Sequence, residues 1–139
     1  MKSISVTCAI IIHQGKILAA RRSQTMDLSG KWEFPGGKME EDEEAEDCLI
    51  REILEELGIT IISLKALTPV NYSYPTKTIR LIPFLCSWES GEISLLEHEQ
   101  VCWLEKKDLF SLDWAEADLP IVHELQENWV KLVGQTERN

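Results

Sequence analysis

Residues 37–59 read GKMEEDEEAEDCLIREILEELGI. Ten of these residues are acidic and two are basic, so the stretch holds eight of the chain's ten net negative charges. Acids three and four apart on a helix repel one another, so crowding them gives a fold nothing. It makes sense if a cation binds there. Read as a helix from Glu44 to Leu57 at about 100° per residue, the segment puts Glu52, Glu55 and Glu56 on one stripe roughly 100° wide. Ile50, Ile53, Leu54 and Leu57 form a separate apolar stripe fit to lie on a sheet. Ala45, Cys48 and Leu49 fall on the acid side, where they would flank a cleft, and Glu46 falls in the apolar arc as part of a solvated first turn. Asp42 to Asp47 suit the positive end of the helix dipole, and Gly58 suits the residue just past the last turn. A calcium-binding EF-hand loop is excluded: it needs alternating ligands and a central glycine, and residues 40–47 have neither.

The spacing also resembles a known motif. Gly37, five residues, Glu43, seven residues, Arg51-Glu52-Ile53, one residue, Glu55-Glu56, one residue and Gly58-Ile59 is similar to the Nudix box at every fixed position. The preceding run Trp32–Lys38, WEFPGGK, resembles what MutT-type members carry before the same helix. The resemblance implies an α/β fold, an α/β/α sandwich with a mixed β-sheet between helices. It implies Mg²⁺-dependent attack of water on a phosphorus of a nucleoside triphosphate, giving a nucleoside monophosphate and pyrophosphate, with Mn²⁺ as a substitute ion. Mg²⁺ takes oxygen ligands, keeps several waters and is shared with substrate phosphates, which is chemistry that clustered carboxylates can serve. By resemblance the metal ligands are the Gly37 carbonyl, Glu52, Glu55, Glu56 and Glu97, with Glu99 as the second choice beside Glu97. Glu52, Glu55 and Arg51 make the catalytic set. Glu52 leads as general base, although carboxylates on one cluster exchange roles. Arg51 sits at about −100° on the helical wheel, off the acid stripe, and is expected to pin Glu43 or a neighbouring acid. His98 reads as a supporting loop residue.

Composition bounds the rest. The chain has 139 residues, enough for one domain with a sizeable core, here residues 1–133 with a tail at 134–139. A net charge of −10 argues against a nucleic-acid polymer as partner but not against a nucleotide, because bound metal reverses the local field. Cys8, Cys48, Cys86 and Cys102 lie far apart, without a CxxC pair. They read as free thiols in a reducing, cytoplasmic setting. No stretch reads as a membrane span or leader. Monomer and homodimer are both open.

In chain order, Ile4–His13 reads as a buried central strand and Lys16–Arg22 as its hairpin partner across Gln14-Gly15. Residues 60–73 are strand-like with a break at Pro69, and Pro83 in the run 78–88 suggests an edge or a bulge. A last helix from about Leu119 to Val133 has Ile121, Val122, Leu125, Trp129 and Leu132 as its core face.

Substrate contacts are expected at five positions. Arg22 is either a solvated charge or a fork for phosphate, Lys38 reaches phosphate, Phe34 walls the base pocket, and Tyr74 stacks on a base. Asp118 either caps the last helix, with Pro120 in the first turn, or reads the base edge. Ionised, it only accepts. It then favours the amino group of cytosine or the N–H groups of guanine and its 8-oxo form over dTTP and UTP, a nucleotide-pool cleansing role. Two other readings stand beside this one. One is a Nudix hydrolase of another nucleoside diphosphate derivative such as ADP-ribose, which the short chain disfavours. The other is a non-catalytic regulatory module, which should have lost box acids, and none is lost.

Overall fold

The computed structural model describes residues 2–134. The expected tail at 134–139 lies, apart from Gly134, outside the described residues, and Gly134 itself closes a helical turn, Val130–Gly134.

Among the described residues eight strands share one sheet. They are β1 Lys2–His13, β2 Lys16–Arg21, β3 Trp32–Glu33, β4 Gly36–Lys38, β5 Thr60–Ala66, β6 Val70–Tyr74, β7 Lys77–Ser90 and β8 Gln100–Leu104. The helices are α1 Ala45–Leu57 and α2 Leu119–Glu127, with short helical turns at Lys106–Ser111 and Glu116–Asp118. β1 runs parallel to β7 from Lys2↔Lys77 to Ile12↔Ser87, and the other pairings are antiparallel, so the sheet is mixed.

β1 sits at the centre because it is apolar on both faces. Cys8, Ile10 and Ile12 point into the core on the α2 side, and Ala9 and Ile11 into the core under α1, the pattern of a strand covered on both sides. The other edge of β1 is divided. Its middle pairs with β4 (Val6↔Lys38 to Cys8↔Gly36) and its end with β2 (Ile12↔Ile17). That split opens the sheet where the chain turns from β4 into α1.

Pro83 was expected at an edge or a bulge. Instead it lies inside β7, opposite Cys8 of β1. The opposite flank of β7 changes partner at this point: β6 pairs up to Leu81 and β5 begins at Phe84. Within a strand a residue's N–H and C=O point to the same side, and the Pro83 carbonyl accepts from Leu67 N–H at 2.9 Å on that flank. The missing N–H therefore falls in a gap between partners and costs no ladder bond.

The face of α1 differs from the wheel reading. Leu49 and Ile53 are fully buried, as is Leu57, whereas Leu54 is 52% exposed. Cys48 and Glu56 are buried too. The buried arc is rotated toward the acids, so Glu56 stands inside it rather than on a separate stripe. The last helix is also shorter than expected: α2 ends at Glu127, with Asn128 as its cap, and Val130–Gly134 continues as a wider turn that still buries Leu132 and Val133. The core face Ile121, Val122 and Leu125 is as expected.

Candidate active site

A cavity of about 690 Å³ opens over the split edge of β1. One wall is acidic and cationic together: Gly37, Lys38, Glu52, Glu56, Glu97, Glu33 and Arg22. The other is apolar with single polar groups: Phe34, Tyr74, Cys8, Ile79, Leu81, Ala117 and Asp118. A volume of this order suits a small ligand. Of the expected residues, the fold thus gathers Arg22, Phe34, Gly37, Lys38, Glu52, Glu56, Tyr74, Glu97 and Asp118 around one space. Glu55 and Arg51 lie outside the lining. Glu99 turns away, to Arg21 Nε at 3.1 Å.

The loop 36–38 is shaped by what its glycines touch. A Cβ on Gly36 would sit 2.0 Å from the Thr7 carbonyl oxygen, and one on Gly37 would sit 2.2 Å from the Glu52 carboxylate. The first glycine lets β4 pair with β1, and the second lets Glu52 lie against the loop. The Gly37 carbonyl accepts from the Thr7 hydroxyl at 3.3 Å, with the Cys48 thiol 3.7 Å away.

Arg51 does more than pin Glu43, and it does not point away from the acid stripe. Its Nε and Nη2 hold the two Glu43 oxygens at 2.9 and 3.0 Å. Its Nη1 reaches Glu52 at 3.0 Å and Glu55 at 3.4 Å. The long side chain bends across the helix surface, which a wheel of Cβ directions does not show. The guanidinium beside Glu43 holds that carboxyl down at about 2, helped by the Glu40 backbone N–H.

Burial acts the other way on two acids of the cavity. It pushes Glu52 up against the pull of Arg51. It pushes Glu56 up much further, aided by the nearby charges of Glu33, Glu97 and Glu52. Glu56 Oε2 is buried without a hydrogen-bond partner. An orphaned, buried carboxylate oxygen on a cavity that Glu52, Glu97 and Gly37 also line fits a hard divalent cation. Among the described residues no group of three such side chains is already gathered for a metal; Arg51 engages Glu52 and Glu55.

On the apolar wall, Asp118 occupies the residue before α2 but makes no capping bond. Its Oδ2 instead accepts from the Phe34 backbone N–H at 2.9 Å. Burial, then the charge of Glu33, raises its pKa well above the ordinary carboxylate value, which favours the neutral side chain, a form that both donates and accepts. Phe34 packs on Trp114 at 4.8 Å between ring centroids. The Tyr74 hydroxyl accepts from Ala117 N–H at 3.2 Å, which ties β6 to the turn that delivers Asp118.

Glu33 escaped the sequence reading, and His98 was read only as a supporting loop residue. Glu33 accepts from Arg22 Nη1 at 2.7 Å and contacts His98 Nε2 at 2.8 Å, and His98 has a fully buried side chain. Glu33 was visible only as part of the WEFPGGK run. Nothing in one sequence pairs it with position 98.

A family model described as the NUDIX domain matches residues 1–125. The chain belongs to the Nudix family. It is a Nudix hydrolase, in a family that generally uses divalent metal ions. It is similar to the CTP pyrophosphohydrolase of Escherichia coli strain K12, 34% identical over 122 residues that cover 88% of this chain and 90% of the relative. It is also similar to the 8-oxo-dGTP diphosphatase of Buchnera aphidicola subsp. Schizaphis graminum, 32% identical over 127 residues, 91% of this chain and 96% of the relative. The solution structure of the MutT protein of methicillin-resistant Staphylococcus aureus 252 superposes with a TM-score of 0.75 at 39% identity, over 92% of this chain and 99% of that one. The Nudix sandwich expected from the box is therefore the fold observed. No helix among the described residues is long and apolar enough to cross a membrane.

Proposed function

We propose that this Nudix hydrolase is a Mg²⁺-dependent nucleoside triphosphate pyrophosphohydrolase whose preferred substrates carry cytosine or an oxidised purine. The observation that carries the reading is Glu56: a buried acid with an unpartnered oxygen, beside Glu52, on the wall of a cavity whose far wall presents Asp118, Phe34 and Tyr74. Part of the lining is charged and part apolar, which suits a polyphosphate and a base respectively. The relatives named for CTP and 8-oxo-dGTP support the same two base classes.

Glu52, Glu56, Glu97 and the Gly37 carbonyl would hold the cation, with Glu55 joining from the rim. When bound, the cation neutralises the polyphosphate and activates water. Arg22 and Lys38 hold phosphate oxygens. Glu52, its pKa raised by burial, takes the proton of the attacking water. The new bond joins that water oxygen to phosphorus, the bridging P–O bond breaks, and pyrophosphate leaves with the bond's electrons. The test is a pyrophosphate-release screen of canonical and oxidised triphosphates with Mg²⁺. Monophosphate plus pyrophosphate from CTP, dCTP or 8-oxo-dGTP is the expected product pair. Turnover of ADP-ribose alone would overturn the proposal.

Three further variants test the scaffold. Arg51→Lys replaces a fork that touches three acids by a point charge. We expect kcat/KM to fall about 10–100-fold with unchanged circular dichroism. Glu43 has a depressed pKa, so its ion pair stabilises the fold above the ordinary carboxylate range and is lost as pH falls toward about 2. The Lys variant should be less stable at neutral pH, with a shallower acid-side loss. Gly36→Ala forces a Cβ into the backbone of β1 and should lower stability by about 1–3 kcal/mol or more. Gly37→Ala meets only a movable carboxylate and should melt near wild type while losing activity. Equal melting temperatures for the two alanine variants would contradict this division.

A further inference from the structure

His98 is tied to three elements at once. The loop before β8 is stitched to the last turn of α1 by Ser94 N–H to the Leu57 carbonyl at 2.8 Å and by Leu96 N–H to the Glu56 carbonyl at 3.1 Å. On its other side Glu99 N–H bonds the Arg21 carbonyl of β2 at 3.1 Å. Between these ties the imidazole is fully buried, with Nε2 2.8 Å from Glu33 Oε2. Its Nδ1 faces Glu56 Oε1 at 3.7 Å, too long for a hydrogen bond. That nitrogen and Glu56 Oε2 are the buried side-chain polar atoms without a hydrogen-bond partner among the described residues.

A position that only had to fill space would be better served by an apolar ring, because a buried polar atom left unpaired is costly. The imidazole instead closes a line of contacts, Arg22 to Glu33 to His98 to Glu56, from the cationic arm of the cavity to its most buried acid. Glu33 is held at one oxygen by Arg22 at 2.7 Å, so the ring it holds is fixed as well.

We propose that His98 is a positioning residue: anchored by Glu33, it fixes the Glu56 carboxylate so that its second oxygen stays available to the divalent cation. The proposal rests on the reading of Glu56 as a cation ligand. His98 touches neither cation nor substrate. It acts by confining one carboxylate, in the way groups behind metal ligands set affinity by orienting them.

The test uses the metal-free full chain and Mn²⁺ alone, with binding measured by calorimetry. Wild type is expected to bind Mn²⁺, and a wild type that does not bind removes the cation reading and the proposal with it. His98→Phe keeps a ring and loses both nitrogens, and its affinity is expected to fall about 10–100-fold. In turnover assays the apparent KM for metal rises by a similar factor, while kcat at saturating metal recovers most of its value. His98→Asn, which keeps a polar atom near the Nδ1 position, is expected to regain part of the affinity. A folded His98→Phe variant that binds Mn²⁺ like wild type overturns the proposal and leaves the cation reading standing. If His98→Phe does not fold, Glu33→Gln takes its place. It removes the charge that anchors the ring and should weaken Mn²⁺ severalfold, and unchanged affinity there overturns the proposal equally.

Discussion

Glu56→Gln is expected to lower kcat by three orders of magnitude or more while the protein stays folded. Each factor of ten is about 1.4 kcal/mol of barrier, so the loss amounts to roughly 4 kcal/mol. That is what removing one carboxylate from a shared cation site in a dry cavity should cost. The fold should tolerate the change because burial already keeps Glu56 protonated, its pKa pushed up to about 10, and Gln has the shape of that neutral acid. The sign of the pH dependence follows. The folded chain keeps this proton while the unfolded chain releases it at the ordinary value of 4.5. The stabilisation is complete below that value and drains away as pH rises toward about 10, at up to about 1.4 kcal/mol per pH unit. Metal-free wild type should therefore melt at falling temperatures between pH 6 and 9, and Glu56→Gln should flatten that slope. Millimolar Mg²⁺ should raise the wild-type melting temperature most at the alkaline end, where the ionised acid is what the cation takes. A Gln variant with wild-type kcat in Mg²⁺ would remove Glu56 from the cation site.

The fold was readable because its signals are local. The apolar run of β1, the box spacing and Gly58 each depend on neighbours within a few residues. Gly58 does end α1 in a left-handed conformation, φ 72°. What escaped was set by contacts between distant segments. Leu54 and Glu56 exchange the burial that the wheel gave them because α1 rolls toward the loop 94–98, whose backbone bonds to the end of the helix. Arg51 gathers acids by the reach of its side chain, which Cβ directions do not record. Pro83 is tolerated inside the sheet only because β5 and β6 share one flank of β7, a fact of topology. Glu33 lies 65 residues from His98 and 11 from Arg22, yet no periodicity links them. Charge spacing pointed to Glu52 and Glu56 of the cavity lining, but also to Glu55, which lies outside it, and not to Glu33. The identity of the base-facing wall rested on resemblance.

Asp118 is where that difference matters most, and its variants are expected to separate two ways of reading a base. An ionised Asp118 would only accept hydrogen bonds and so reject thymine and uracil by their carbonyls. Burial favours the neutral side chain instead, with Oδ2 accepting from Phe34 N–H and the other oxygen then able to carry a proton. Asn copies that state: its carbonyl keeps the Phe34 bond and its amide supplies the donor. We therefore expect Asp118→Asn to keep the ranking of CTP, dCTP and 8-oxo-dGTP over dTTP and to hold kcat/KM within about tenfold. Its stability should also depend less on pH. In wild type the stabilisation by the neutral acid is complete below the ordinary value of 3.8 and fades as pH rises through the raised one. Asp118→Ala is expected to erase the ranking, with kcat/KM for the best substrate down about 100-fold or more. It should also lower stability by about 1–3 kcal/mol, because the Phe34 N–H is left unpaired in a buried place. Because Asp118 makes no capping bond, the helix gives no competing reason for that loss. If the alanine variant melts lower but keeps the ranking, Asp118 only supports Phe34, and base selection lies elsewhere on the wall. If the asparagine variant inverts the ranking, the acid reads the base as an anion.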